Sequence, residues 1–539
     1  MVNPVFFPWQ AGMSLISGQG AAIQKNFMQA WQGLLRDARR GALKPPADRR
    51  FSSEAWAASP QALFTAHAYL ITANTLKEMA QAARLDDAAR ERLQFAVMQW
   101  VEAASPSNFL ATNPDAQKKL IETRGESLQL GLANLMHDLQ RGRITQTDED
   151  AFQPGENLAI TPGGVVYENP FMQVIQYSPQ AEKTYRIPLL MVPPCINKYY
   201  ILDLQPANSV VLHALQAGFD IFMVSWRNPR PDDPDRTDTK TWDDYLEHGV
   251  LQAMKVVSRI TRQPQINVLG FCVGGTMLAS ALAVAKARGA DPAQSLTLLT
   301  TLLDFGDAGI LDVFVDELHA RARERQLGQG GLMTAAELST TFSFLRPSEL
   351  VWNYVESNYL KGESPRAFDL LAWNADGTNL PGPFFAWYFR NMYLENRLVS
   401  GQLESCGVPM DLRALDLPTY VYASRDDHIV PWASAYASTQ LLSGPLRFVL
   451  GESGHIAGVV NPPERGRRGY WSSGSDHLPP DPQAWLEGSA HARGSWWPDW
   501  LQWLEGHSGS LRAARKTLGN KRFPVIEPAP GRYVKVKAV

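Results

Sequence analysis

Three side chains have the types and settings for covalent catalysis: a cysteine between glycines, an aspartate, and a histidine. Each follows a short apolar run. Cys272 lies in Gln265-Ile266-Asn267-Val268-Leu269-Gly270-Phe271-Cys272-Val273-Gly274-Gly275. An apolar strand there runs into Gly-x-Cys-x-Gly, and a helical pattern over 276–287 follows. This is the strand–turn–helix setting of a nucleophile elbow, with cysteine where serine is usual. The turn is too sharp for side chains at the flanking positions, and glycine has no Cβ. It lifts the sulfur above the sheet, beside a helix N-terminus whose dipole and N–H groups favour a thiolate and later an oxyanion. A lone cysteine at a strand end is more often a packing residue, so its partners decide the matter.

An elbow nucleophile needs an acid and then a histidine, in that chain order. After the apolar run 419–423 comes Ser424-Arg425-Asp426-Asp427-His428-Ile429-Val430-Pro431, and after 447–450 comes Gly451-Glu452-Ser453-Gly454-His455-Ile456-Ala457-Gly458. Asp427 suits the acid role better than Asp426, because Asp-x-Ile-Val-Pro is the usual acid turn of the α/β-hydrolase fold. His455 is the expected base. His428 is the weaker rival, and the remaining histidines are assigned nothing. The oxyanion hole combines the N–H of Val273, just after the nucleophile, with one from the loop Val192-Pro193-Pro194-Cys195-Ile196-Asn197-Lys198-Tyr199-Tyr200, where Ile196 is the expected donor. Cys195 reads as a packing residue of that loop. Cysteine in place of serine points to acyl transfer from a thioester: the thioester it forms keeps the acyl group activated, which a serine ester would not.

The elements that must position these residues are legible from the pattern. Short apolar stretches at 174–177, 187–192, 220–225, 266–269, 296–303, 419–423 and 447–450 alternate with helical periodicity, which implies a mainly parallel sheet covered by helices on both faces. Residues 1–155 read as a helical N-terminal domain. Ile23, Phe27, Trp31 and Leu34 recur at helical spacing and are expected to pack within that domain. Asn113-Pro114-Asp115 opens a further helix carrying Leu120, Leu128, Leu132, Leu135 and Leu139. Glycine–proline punctuation near residues 153–164 marks the boundary with a catalytic domain, 156–539. The stretch between the strands ending near 303 and starting at 419 far exceeds the dozen or so residues a crossover needs. An inserted cap over about 307–406 is therefore expected above the elbow, its aromatics lining an acyl path or forming the cap's own core.

A formal net charge of −3 gives no basic footprint for nucleic acid. The three cysteines form neither a disulfide framework nor a zinc knuckle, so no metal is expected, and a reducing compartment fits a working thiol. Met1 to Trp9 lacks a secretory leader, and no window has the length of a membrane span. A cytoplasmic protein is expected.

Taken with the elbow and the acid and histidine loops, the chain resembles class I polyhydroxyalkanoate synthases, which polymerise (R)-3-hydroxyacyl-CoA. The matching segments are Ser105-Pro106-Ser107-Asn108-Phe109-Leu110-Ala111-Thr112-Asn113-Pro114, residues 193–204, Val224-Ser225-Trp226-Arg227-Asn228-Pro229, residues 270–275, Tyr359-Leu360-Lys361-Gly362, residues 453–463, Gly494-Ser495-Trp496-Trp497-Pro498, and residues 527–535. The resemblance implies an α/β-hydrolase domain in which Cys272 carries the acyl chain and His455 is its base. It implies that Asp427 orients His455 or helps activate the 3-hydroxyl of the incoming unit. It also implies CoA thioester as substrate without a further cofactor, a homodimer, and association with polymer granules and granule proteins. Arg346 and Asp203 are the weaker candidates for substrate contacts: the first to meet CoA phosphates, the second to hold the oxyanion loop or cap a helix. A cysteine-dependent acyl-CoA thioesterase or esterase on the same fold is the alternative.

Overall fold

The structure is a computed structural model that describes residues 19–474 and 478–538. Met1 to Trp9, read for a leader, and His477 lie outside the described residues. The chain divides into two compact units. The first runs to Asp148 and includes Thr340–Arg366; the second comprises Glu149–Ser339 and the chain from Ala367 onward.

The second unit is built on an eleven-stranded sheet. In chain order its strands are β1 (Gly163–Glu168), β2 (Met172–Tyr177), β3 (Leu189–Val192), β4 (Ile221–Trp226), β5 (Ile266–Phe271), β6 (Ala293–Leu299), β7 (Thr419–Ser424), β8 (Leu446–Gly451), β9 (Gly469–Ser472), β10 (Ala490–Arg493) and β11 (Glu527–Pro528). Their spatial order is β10-β9-β8-β7-β6-β5-β3-β4-β2-β1-β11. The central stretch from β4 through β3, β5, β6 and β7 to β8 is parallel. Antiparallel strands flank it on both sides. The parallel strands are buried along nearly their whole length, which explains their continuous apolar runs. Each expected strand is present, although the 296–303 run stops at Leu299, because Thr300 turns away with φ 41°.

The first unit is helical where it is described. Helix α1 (Gly20–Arg39) packs on α2 (Pro60–Gln81), and α2 on α3 (Asp87–Ala103). Ile23 and Leu34 are buried, and Trp31 meets Phe64 edge-on at 6.3 Å, so the α1 stripe is used inside its own unit. Ser59 and Asp86 cap α2 and α3 through hydrogen bonds from Ala62 N and Ala89 N. The helix expected after Asn113 is two helices, α4 (Pro114–Glu122) and α5 (Glu126–Arg141), separated where Arg124 and Gly125 take positive φ.

Helix α5 is turned opposite to its leucine pattern. Its inward face is Ser127, Gly131 and Asp138, while Leu128, Leu132 and Leu139 are exposed. The cause is close packing against residues 358–363. A Cβ on Gly131 would collide with the Tyr359 carbonyl, Asn134 Nδ2 donates to the Asn358 carbonyl at 3.0 Å, and the Tyr359 hydroxyl donates to Asp138 at 2.7 Å. This packing corrects the expected domain division. Residues 340–366 belong with the helical unit, which ends at 148 instead of 155. The 307–406 stretch is therefore not one inserted body.

Candidate active site

Strand β5 delivers Cys272 into a turn that leads straight into helix α6 (Val273–Ala287). Cys272 has φ 52° and ψ −127°, a strained conformation for a residue with a Cβ. Neighbouring contacts hold it there. Its N–H donates to the Leu299 carbonyl at 2.9 Å, and its own carbonyl accepts from Gly275 N at 2.8 Å. The glycines are required by contact. A Cβ on Gly270 would collide with Gly275, one on Gly274 with the Val192 and Pro193 carbonyls, and one on Gly275 with Thr301. Gly274 thus lets α6 press on the end of β3, which brings the 193–200 loop beside the elbow.

The acid and base loops follow β7 and β8, neighbours in parallel register. They are tied together by Arg425 N to Gly451 O at 2.8 Å and Asp426 N to Ser453 O at 3.0 Å. His455 begins a short helix, α7 (His455–Val459). Two indoles hold that helix: Trp496 Nε1 donates to Gly458 O at 3.1 Å and Trp497 Nε1 to Val459 O at 2.9 Å. Sequence alone assigns these tryptophans no role. Their signal was the Gly-Ser-Trp-Trp-Pro segment.

His455 Nδ1 and Asp427 Oδ2 lie 2.6 Å apart, with the Asp427 side chain fully buried and the His455 side chain nearly so. Asp427 Oδ1 accepts from Ile429 N at 2.8 Å and Val430 N at 2.9 Å, so the carboxylate is fixed through both oxygens. With Nδ1 on Asp427, the Nε2 side of the ring is left for the thiol, and His455 interacts with Cys272 through its side chain. Phe271 stacks on the ring at 5.7 Å. Burial lowers the His455 pKa, but the Asp427 carboxylate and Cys272 raise it more, and the net effect pushes it up to about 10.

The other expected residues fare differently. Val273 opens α6 directly after the nucleophile, and the Ile196 carbonyl accepts from Thr378 N at 3.0 Å. Cys195 is buried, and burial pushes its thiol pKa well up, as suits a packing residue. Asp203 is buried. It is 2% exposed, and its Oδ1 accepts from the Thr161 and Ser209 hydroxyls, each at 2.6 Å. It ties the chain after β3 to Thr161 and to Ser209. Arg346 lies in the helical unit and pairs with Glu349 at 3.4 Å. Of the aromatics at 384–389, Phe384, Trp387 and Tyr388 pack around Trp242 with centroid distances of 5.1–5.4 Å, which makes them mainly a core. Burial first, then Tyr393 and Cys272, drive the Tyr388 pKa well up.

A largely parallel sheet with Cys272 at a strand–helix elbow, and Asp427 and His455 after later strands, is the arrangement of an α/β-hydrolase. Residues 188–462 match the alpha/beta hydrolase fold family, and residues 47–214 match the family described as Poly-beta-hydroxybutyrate polymerase (PhaC) N-terminus. The poly(3-hydroxyalkanoate) polymerase subunit PhaC of Cupriavidus necator is 55% identical over 537 residues, covering 98% of this chain and 90% of that protein. Its counterpart from Rhizobium meliloti is 39% identical over 523 residues, 95% of this chain and 84% of that protein. The poly(3-hydroxyalkanoate) polymerase of Methylorubrum extorquens is 38% identical over 500 residues, 92% and 82% respectively. The chain belongs to the poly(3-hydroxyalkanoate) polymerase family.

Proposed function

We propose that this polymerase joins (R)-3-hydroxyacyl-CoA units, with 3-hydroxybutyryl-CoA as the expected monomer, through a covalent thioester on Cys272. His455 takes the Cys272 proton, and the sulfur attacks the thioester carbonyl. The oxyanion that forms is met by the N–H groups of Val273 and Ile196, each worth about 3 kcal/mol in the transition state. Collapse expels CoA, which leaves with the proton from His455. The 3-hydroxyl of another unit then gives up its proton within the His455–Asp427 pair and attacks the thioester carbonyl. An oxoester forms and a thiol is released. Thioester-to-thioester exchange is nearly thermoneutral, so the acyl group keeps its activation until the hydroxyl arrives.

The observation that carries this reading is the 2.6 Å contact of His455 Nδ1 with a buried carboxylate, which leaves the ring's second nitrogen for an elbow cysteine. The reading includes a CoA thioester substrate with no further cofactor. It also includes a cytoplasmic homodimer at the surface of polyester granules, which rests on family membership. Among the described residues no helix is long and apolar enough to cross a membrane.

The test mixes purified protein with (R)-3-hydroxybutyryl-CoA and follows thiol release and turbidity, with Cys272→Ala alongside. Release with rising turbidity, both absent in the variant, is the expected result. Release into a clear solution of free 3-hydroxybutyrate would replace the polymerase reading with a thioesterase. Unchanged release by Cys272→Ala would remove the covalent mechanism.

A further inference from the structure

Ile196 sits on a loop that two distant segments of the same unit hold in place. From residues 373–379, Thr378 N donates to the Ile196 carbonyl at 3.0 Å, and Asn197 pairs with Gly377 in an antiparallel bridge. Trp373 Nε1 donates to the Lys198 carbonyl at 2.7 Å, and the Tyr200 hydroxyl donates to Asp376 Oδ2 at 2.9 Å. From residues 533–537, the Val536 carbonyl accepts from Lys198 Nζ at 2.6 Å and from Asn228 Nδ2 at 3.2 Å. Lys537 Nζ lies 3.3 Å from Asp376 Oδ1, which closes the ring of contacts.

Lys198 is the residue in this knot that packing alone does not explain. It is 3% exposed, yet it ends in an amine. Lysine is almost never fully buried unless paired, because desolvating an ammonium is costly. Burial lowers its pKa to about 8, with Asp376 opposing and Lys537 adding to the shift. A leucine or methionine would fill the space without that cost. What the amine adds is a directed bond from the loop to the 533–537 segment. An oxyanion donor needs its N–H aimed to within about 0.5 Å, and a loop reaches that precision only when other groups fix it.

We infer that Lys198, through its bond to the Val536 carbonyl, is a positioning residue for the Ile196 oxyanion donor, and that segment 533–537 is the strut it holds. This rests on the Ile196 assignment proposed above.

The experiment compares Lys198→Met, a chain shortened after Lys535, and the two combined, using (R)-3-hydroxybutyryl-CoA. It reads kcat and KM for CoA release, the rate at which iodoacetamide alkylates Cys272, and thermal unfolding. Alkylation needs no oxyanion donor. The expected result is a fall in kcat of about 10- to 100-fold in each single variant, a KM within about threefold, and alkylation within about twofold. The combined variant is no slower than the slower single one, because both changes remove the same bond. Lys198→Met with wild-type kcat, beside an inactive Cys272→Ala, would overturn the inference. So would penalties that multiply in the combined variant, or alkylation that falls in step with kcat. Where Lys198→Met does not fold, the shortened chain alone is judged by the same criteria. An active Cys272→Ala would instead remove the covalent reading on which the inference stands.

Discussion

At the scale of the residue, the site turns on how His455 is held. Both Asp427 oxygens are engaged, one by the ring and one by two backbone N–H groups, so the carboxylate fixes the orientation of the imidazole as well as its charge. Asp427→Asn should leave the fold intact and lower the rate of CoA release by about 10²- to 10⁴-fold. Because the carboxylate raises the ring's pKa toward about 10, the alkaline limb of the pH–rate profile should move to lower pH in this variant. The same shift acts on stability. A raised histidine pKa contributes fully below the ordinary value near 6.5 and is lost as pH climbs through about 10. Wild-type thermal stability should therefore decline over that window more steeply than that of Asp427→Asn. At the elbow, Gly274→Ala should reduce both stability and CoA release, since its Cβ would strike the Val192 and Pro193 carbonyls. Thermal unfolding and initial rates measure the two effects. Cys272, Asp427 and His455 are legible as candidates because each stands in a short motif in a fixed order. The bond between His455 and Asp427 is expected from the sequence, and the carboxylate's second anchor, on Ile429 and Val430, lies within the Asp-x-Ile-Val-Pro turn itself.

At the scale of the element, two supports carry the site's geometry. Asp203, in the chain that follows β3, accepts from the Thr161 and Ser209 hydroxyls. Asp203→Ala would leave two buried hydroxyls without their acceptor, and denaturant unfolding should show a loss of about 1–3 kcal/mol. The fall in CoA release should be smaller than that of Asp427→Asn, because Asp203 Oδ1 is bonded to Thr161 and Ser209 while Asp427 is bonded to His455. Helix α7 hangs from two tryptophan indoles. Trp497→Phe removes one of those bonds and should cost about 1 kcal/mol by the same measurement, plus a modest loss of rate. The central strands were legible because burial on both faces demands unbroken apolar runs. The outer antiparallel strands β1, β9, β10 and β11 were not. They mix glycine, polar and half-exposed residues, and their pairing depends on the neighbour they meet.

At the scale of the whole molecule, the helical unit draws its stability from a segment far along the chain. Gly131→Val should collide with the Tyr359 carbonyl and lower the unfolding temperature, whereas Leu132→Ser, at a position 58% exposed, should change stability by no more than about 0.5 kcal/mol. Hydrophobic periodicity would have ranked those two substitutions the other way. The sequence alone determined the residues of the proposed chemistry and their scaffold: an elbow cysteine, an aspartate and a histidine in order, on parallel strands, since these follow from local motifs and from the period of burial. Only the tertiary structure decided which segments hold that chemistry still. Residues 340–366 join the helical unit, the leucine face of α5 turns outward, and Lys198 reaches Val536 across 338 residues of chain. Each of these is a contact between distant segments, fixed by where the folded backbone brings a glycine to a carbonyl or an amine to an acceptor. Local residue order does not encode that distance.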